Sequence, residues 1–344
     1  MTESERPLFD VIQQLVSPSE SFLQHFGVDV RNVAPDPGSG WKLRIEEGEE
    51  RFRFVDEWGL TWGMPKIGGH YFDMTGHPLG GAGTTAATVR DLPMPDPSDG
   101  QRYKDMRRKA QAIRAAGQAV VVSSIGAGIF ELGGWLRGYE DFYCDLAIDE
   151  ELAASYLDRF LDIKLEYWKR VFDELGDLVD VAQEADDLGS QNAMLVSPDT
   201  YRRIMKPRHR KLFSYIHGRG DAKVFYHSCG SFHDVLGDLV ETGVDILNPV
   251  QFNAKDMDAV SLKRDFGKDL VFWGGGVDTQ DVLPRRGPAE VRDDVRRQIE
   301  ILAPGGGFIF NTVHNIQNDV PPENIVAMFE TLEEYGIYPV SRRN

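Results

Sequence analysis

The sequence is poor in cysteine, in long apolar runs and in positive charge. Cys144 and Cys229 are the two cysteines in 344 residues, and a pair this distant in a chain without an export signal argues against a structural disulfide. If either sulfur matters, it matters as a thiolate. No apolar stretch approaches the roughly 18–20 residues of a spanning helix. The opening MTESERPLFD lacks both the basic start and the apolar core of a secretion signal. Together these absences point to a cytoplasmic protein. Lys and Arg number 38 against 55 Asp and Glu, a net charge of −17, which repels phosphate backbones and anionic lipid. No nucleic-acid partner and no membrane partner are expected, although a small anionic substrate in a local basic pocket remains compatible. There is no internal repeat and no GxGxxG or phosphate-loop lysine pattern. GlyGlyGly at 274–276 follows a strand-like run and could bring backbone close to a ligand, whereas GlyGlyGly at 305–307 reads as a helix-to-strand turn.

What is present is ordinary globular material, 41% hydrophobic, 10% aromatic and 27% charged. That suits one large α/β barrel with decoration or two average domains. The first hundred residues mix signals. Asp10 to Phe26 reads as helix, Trp41 to Val55 as a hairpin around GluGluGlyGluGlu, and the aromatic-rich stretch 56–81 as ordered loop, its rings too irregular for either period. A helix is predicted over Gln101 to Ala116.

Beyond that point short β-branched or aromatic runs alternate with amphipathic helices. Strands are predicted at 119–124, 178–182, 223–227, 244–247, 270–274 and 307–311. Helices are predicted at 151–175, 198–217, 232–242 and 288–302. Strand alternating with helix implies parallel strands and crossovers. The rhythm suits a single (β/α)8 TIM-type barrel spanning 1–344, with 1–100 as an N-terminal helical and hairpin extension carrying lid-like loops. His70 and His77 could reach the barrel mouth from that extension, or simply lie on a surface loop.

In such a barrel the carboxyl ends of the strands open onto the active-site face. Polar residues follow five consecutive predicted strands: Gln183 to Gln191, then His227 to Cys229, Asn248 with Gln251, Asp278, and Asn311 to Gln317. A convergent site is implied. His227 and Cys229 are the sharpest pair, since residues two apart in extended chain share a face and zinc accepts such N and S ligands. The alternative is that Cys229 is a small buried filler and His227 hydrogen-bonds a carbonyl. Glu184 and His314 could complete a metal site. Glu184, Asp186 and Asp187 cannot all ionise cheaply in a dry pocket, which calls for a cation, a basic substrate or a shared proton; Asp186 is read as a helix cap. Asn248, Gln251 and Asp278 are candidates for holding a cofactor. HGRGD at 217–221 and LysArgAspPheGly at 263–267 read as helix ends, MetLysProArgHisArgLys at 205–211 as a solvated basic face, and Cys144 as packing.

The run FYHSCGSFHDVLGDLVETGVDILNPVQ, with FGKDLVFWGGGVDTQDVL and GGGFIFNTVHNIQNDVPPENI, resembles the uroporphyrinogen decarboxylase superfamily. It is especially similar to the branch of cobalamin-dependent methyltransferases. DDLGSQ followed by SerPro at 197–198 extends the likeness, which is specific from about residue 175 onward. Earlier it rests on DEWG and on HPL at 77–79. The resemblance implies a single α/β barrel. In that branch zinc is held by His-x-Cys and a distant second Cys, and a corrinoid carries the methyl group. His227 and Cys229 match the first two ligands. No Cys follows residue 229, and His314 falls near the third position. The arginine-rich RQAGR-type motif of the true decarboxylases has no counterpart in the early region.

Three functions are therefore carried forward. One is a zinc-dependent methyltransferase, moving a methyl group from a small donor to a corrinoid (cobalamin) on a partner protein. The donor would be an aryl methyl ether, as in O-demethylation, or a methylamine-like compound. Glu184 or Asp187 would orient or protonate the leaving group, with His314 as a further catalytic candidate. The second is a metal-free decarboxylase of another carboxylic substrate. The third is a non-catalytic ligand-binding relative. A homodimer is suggested by analogy alone.

Overall fold

The structure, a computed structural model, describes residues 8–340. The chain divides into two compact units, the first ending at Asp180 and the second beginning at Val181. Among the described residues no helix is long and apolar enough to cross a membrane.

Among the described residues the first unit contains eight strands. β1 (Leu8–Asp10) and β2 (Leu15–Val16) form an antiparallel pair, and β3 (Val30–Val33) runs parallel to β8 (Ala119–Ser123). Between them β4 (Glu46–Glu47), β5 (Arg51–Val55), β6 (Thr61–Pro65) and β7 (Asp73–Gly76) make a four-stranded antiparallel sheet. The helix Glu150–Leu175 is begun by Asp149, whose side chain accepts from the Leu152 amide. It buries a stripe that includes Tyr156, Phe160, Tyr167 and Trp168, at the three- and four-residue spacing of one helical face.

Several expectations change here. The predicted helix over Asp10 to Phe26 is instead β1, a turn, β2 and a short helix, Glu20–His25. The Asp10 carboxylate captures the amides of Ile12 and Gln13, and Ser19, just after Pro18, caps the shortened helix through the Phe22 amide. Both are local competitors of a continuous helix. The predicted hairpin is present as β4–β5. The stretch read as loop contains β6 and β7, because Asp56 gathers the amides of Trp58 and Leu60 and the Trp62 indole N–H, turning the chain back on β5. Burial raises the Asp56 pKa despite those donors. Trp62 then stacks on Phe54. His77 is bound through Nδ1 to the Trp135 carbonyl at 2.6 Å, and His70 is exposed. Cys144, read as packing, is exposed too.

The second unit carries the strands β9 (Val181–Ala185), β10 (Lys223–His227), β11 (Ile246–Asn248), β12 (Val271–Trp273) and β13 (Phe308–Ile309), each parallel to the next. The connections between them carry helices, as the alternating pattern requires, and the α/β class with parallel strands is what the structure shows. The run Pro198–His217 is one helix interrupted by a π turn at Tyr201–Met205. Helix Pro288–Leu302 matches its predicted span and packs on Pro322–Tyr335 through Val291, Val295, Ile299, Ala327 and Met328.

β9 begins three residues later than expected. Leu178 belongs to a 3-10 turn, and the Asp180 side chain is held by the Val120 amide and Arg114. Glu184 therefore lies inside the strand. The glycines at 274–276 continue the pairing of β12 with β13, through Gly274 to Ile309 and Gly276 to Asn311. Gly274 has φ +117°, and a Cβ there would collide with the Pro249 carbonyl. Close backbone packing explains this triplet. Gly274→Ala is expected to destabilise the protein by about 2–4 kcal/mol, read as a lowered midpoint of urea unfolding. An unchanged midpoint would show that the triplet is loose enough to receive a ligand.

Candidate metal centre

Register decides which side chains meet. Phe225 pairs with Ile246 and His227 with Asn248, while on the other side Tyr226 pairs with Glu184 and His227 with Ala185. In parallel strands, residues in register share a face and neighbours along the chain alternate. His227 and Asn248 thus lie on one face. Glu184 lies on the other, with Tyr226, whose ring packs against His209 and Phe213 of the helix Lys206–His217.

His227 ends β10 and is fixed by Asn248. The Asn248 amide nitrogen donates to the Trp273 carbonyl at 2.7 Å, which leaves its Oδ1 to accept from His227 Nδ1 at 2.5 Å. An amide oxygen can only accept, so Nδ1 carries the proton and Nε2 offers its lone pair outward. Cys229 Sγ lies 3.4 Å from that Nε2. The chain reaches Cys229 through a loop stitched to the one after β9. The Cys229 amide donates to Asp187 Oδ1 at 2.7 Å, the Leu188 amide to Ser228 Oγ at 3.1 Å, and the Ser231 amide to the Ser190 carbonyl at 2.7 Å. Such contact requires two glycines. Gly230 has φ +86°, and a Cβ on it would strike the Gly189 carbonyl, while one on Gly189 would strike the Ser231 backbone.

The outcome is a group of three donors. One nitrogen of His227, the sulfur of Cys229 and one oxygen of Asp187 lie within 4.8 Å of one another. Asp187 Oδ1 is 4.0 Å from His227 Nε2. Zinc bonds of roughly 2.0 Å to nitrogen and 2.3 Å to sulfur, at a tetrahedral angle, separate the two atoms by about 3.5 Å. The observed 3.4 Å fits that spacing. All three side chains are half-buried, with His227 29% and Asp187 39% exposed. Cys229 is therefore no buried filler, and His227 bonds to a side-chain amide instead of a carbonyl of the main chain.

Of the other residues singled out in the sequence, His314 is accessible to solvent, yet its pKa is pushed down. Desolvation is the first cause and the charge of His227 the second, with Asp187 pulling the other way. His314 lies outside the group of three donors. Glu184 is 2% exposed and lies outside the donor group, as the pleat dictates. Asp186 does not cap a helix. Its Oδ2 pairs with His209 Nε2 at 2.7 Å, both buried, so the segment 205–211 is not a uniformly solvated face. Gln251 accepts from the Gly230 amide and donates to Gln191, steadying the Cys229 loop. Asp278 caps its own turn through the amides of Gln280 and Asp281. Asn248, Gln251 and Asp278 are thus all engaged within the protein itself. A cavity of about 400 Å³ opens beside the Cys229 loop, lined by Ser231, His233, Lys255 and the segment Asn192 to Pro198.

Asp187 as a donor partner of His227 and Cys229 was not foreseen; the sequence suggests it only as an acid or orienting group. The available signal was the pair of glycines, one two residues after Asp187 and one immediately after Cys229, which lets the two loops touch.

Comparison with known proteins agrees with this architecture. The family model described as uroporphyrinogen decarboxylase (URO-D) matches residues 78–335. A methylated-thiol–coenzyme M methyltransferase of Methanosarcina mazei is 24% identical over 208 residues, which are 60% of this chain and 52% of that protein. The match thus spans about half the length of that relative. A solved structure of a methyltransferase from Methanosarcina mazei superposes with a TM-score of 0.63 at 18% identity, covering 92% of this chain and 83% of that one. The second likeness establishes the fold.

Proposed function

Since the chain belongs to the uroporphyrinogen decarboxylase family, we propose that within it the protein is a zinc-dependent methyltransferase. It takes a methyl group from a small methylated compound and passes it to a corrinoid carried by a partner protein. The observation that carries this reading is the convergence of His227 Nε2, Cys229 Sγ and an Asp187 oxygen, with the imidazole tautomer set by Asn248. Nitrogen, sulfur and oxygen donors together suit zinc, and three protein ligands leave a position for substrate. The methyltransferase relative supports the reaction class. A cytoplasmic setting would keep Cys229 reduced.

When bound, zinc supplies Lewis acidity to the heteroatom that bears the methyl group. The protein's own residues do the rest. Asn248 keeps the His227 lone pair outward, and the Cys229 amide holds the Asp187 carboxylate beside the sulfur. His314, its pKa lowered, is neutral at pH 7 and offers a ring nitrogen that can take or return a proton at the departing heteroatom. The reading places the corrinoid on a partner protein; the given sequence itself shows no DxHxxG-type motif.

The test is metal analysis of the purified full chain, followed by incubation with cob(I)alamin and a panel of methyl ethers, methylamines and methyl thioethers. One zinc per chain and growth of the methylcobalamin spectrum with one donor class are expected. Substoichiometric metal unaffected by zinc supplementation, or release of carbon dioxide from a carboxylic substrate with no methylcobalamin, would overturn the reading.

A further inference from the structure

Behind the donor group lies a polar cluster that the proposed chemistry does not use. Asp186, Tyr201 and His209 are each 1% exposed or less. His209 Nε2 donates to Asp186 Oδ2 at 2.7 Å, and the Tyr201 hydroxyl lies 3.2 Å from His209 Nδ1. Desolvation holds the Tyr201 phenol protonated, so it donates to Nδ1 and leaves Nε2 as the N–H that faces the carboxylate. The main chain of Asp186 is tied as well. Its amide donates to the His227 carbonyl at 2.9 Å, and its carbonyl accepts from the Tyr226 hydroxyl at 3.2 Å. Asp186 is therefore anchored at its amide, its carbonyl and its carboxylate, and the next residue is Asp187.

The helix is shaped to deliver this contact. Eight residues of regular α-helix would place Tyr201 and His209 roughly 80° apart around the axis. The π turn at Tyr201–Met205 removes most of that offset, so both side chains reach one point. Pro207, with no N–H to give, stands where the π turn hands over to the helix Lys206–His217. π turns are uncommon and gather at functional sites. A fold needing only packing here could use apolar side chains, since a buried polar network must satisfy every member to match them.

We infer that the Asp186–His209–Tyr201 relay is a positioning device, setting the Asp187 carboxylate against His227 and Cys229. This rests on the metal-binding reading above. His209 and Tyr201 touch no reacting atom; they act through Asp186 on the backbone of Asp187.

Cobalt(II) titration of the full chain tests it, with the thiolate-to-cobalt absorption reporting Cys229 and the ligand-field bands reporting geometry. His209→Leu is expected to weaken cobalt binding about 10- to 100-fold, the range seen when groups that orient metal ligands are removed. His209→Gln, which keeps an N–H for Asp186, should return it to within about threefold. The deciding measurement is the cycle with Asp187→Asn. If the relay works by placing Asp187, His209→Leu costs less than about twofold more once that carboxylate is gone. Additive losses, or unchanged affinity of His209→Leu in the native background, would overturn the inference and leave the metal reading intact. A wild-type chain with no thiolate-to-cobalt band would overturn the metal reading itself, and with it this inference. Should His209→Leu not fold, Tyr201→Phe carries the same cycle. It is expected to cost about 3- to 10-fold alone and nothing beside Asp187→Asn; no loss alone, or an additive one, counts against the relay.

Discussion

Cys229→Ala is expected to abolish zinc binding at micromolar metal while leaving the fold in place. Structural zinc sites bind with about 10–16 kcal/mol shared among four ligands, or roughly 2.5–4 kcal/mol per ligand, so one lost ligand lowers affinity ~10²- to 10³-fold. The variant's unfolding midpoint should hardly move. Cys229 is half-buried, and alanine keeps the amide that donates to Asp187 Oδ1. A surface-proximal truncation of this kind costs within about 1 kcal/mol. Cys229→Ser should fall between the two in affinity, because a hydroxyl offers a harder and poorly ionised donor. Competition with a chelating dye measures affinity, and thermal unfolding of the metal-free chain measures stability. Zinc affinity retained in Cys229→Ala would remove the sulfur from the site, and the methyl-transfer proposal would fall with it.

The parts legible in the sequence are those whose signal is local. Lys223–His227 is a strand flanked by a turn and a glycine, and Pro288–Leu302 starts on a proline and repeats with helical period; both stand where the pattern puts them. β9 was displaced because LVDVA looks as strand-like as VAQEA, and only the distant Val120 amide, taking the Asp180 carboxylate, decides between them. β6 was hidden because Gly63 and Pro65 break its alternation, while Asp56, Phe54 and Phe72 secure it from outside the strand.

The site divides in the same way. His227 and Cys229 are neighbours in sequence, so their pairing could be read. Asn248 as the partner of His227 depends on the register of β10 with β11, and His209 as the partner of Asp186 depends on a helix turning back over the sheet. Neither relation leaves a mark on a short window. His209 stands in a run of Lys and Arg that reads as a solvated face, yet it is buried against a carboxylate.

The pleat of β9 makes a second large effect predictable. Glu184 and Asp187 are acidic groups three residues apart, and the sequence offers Glu184 as the ligand while the structure brings Asp187 to the other donors. Asp187→Asn is expected to weaken zinc binding about 10- to 100-fold. The amide can still accept from Cys229 N–H, but it is a poor metal donor without the carboxylate charge. Glu184→Gln should leave zinc affinity within about twofold, because Glu184 shares its face with Tyr226 while His227 shares the opposite one with Ala185. Its cost appears in stability instead. Glu184 is 2% exposed, and replacing a buried carboxyl group by an amide costs about 1–3 kcal/mol where it upsets the polar contacts around it. Zinc titration and urea unfolding of the two variants should therefore give crossed results, affinity lost in one and stability in the other. If Glu184→Gln is the one that sheds zinc, β9 must be paired one residue out of the register described, since a slip of one residue exchanges the faces of every side chain along the strand.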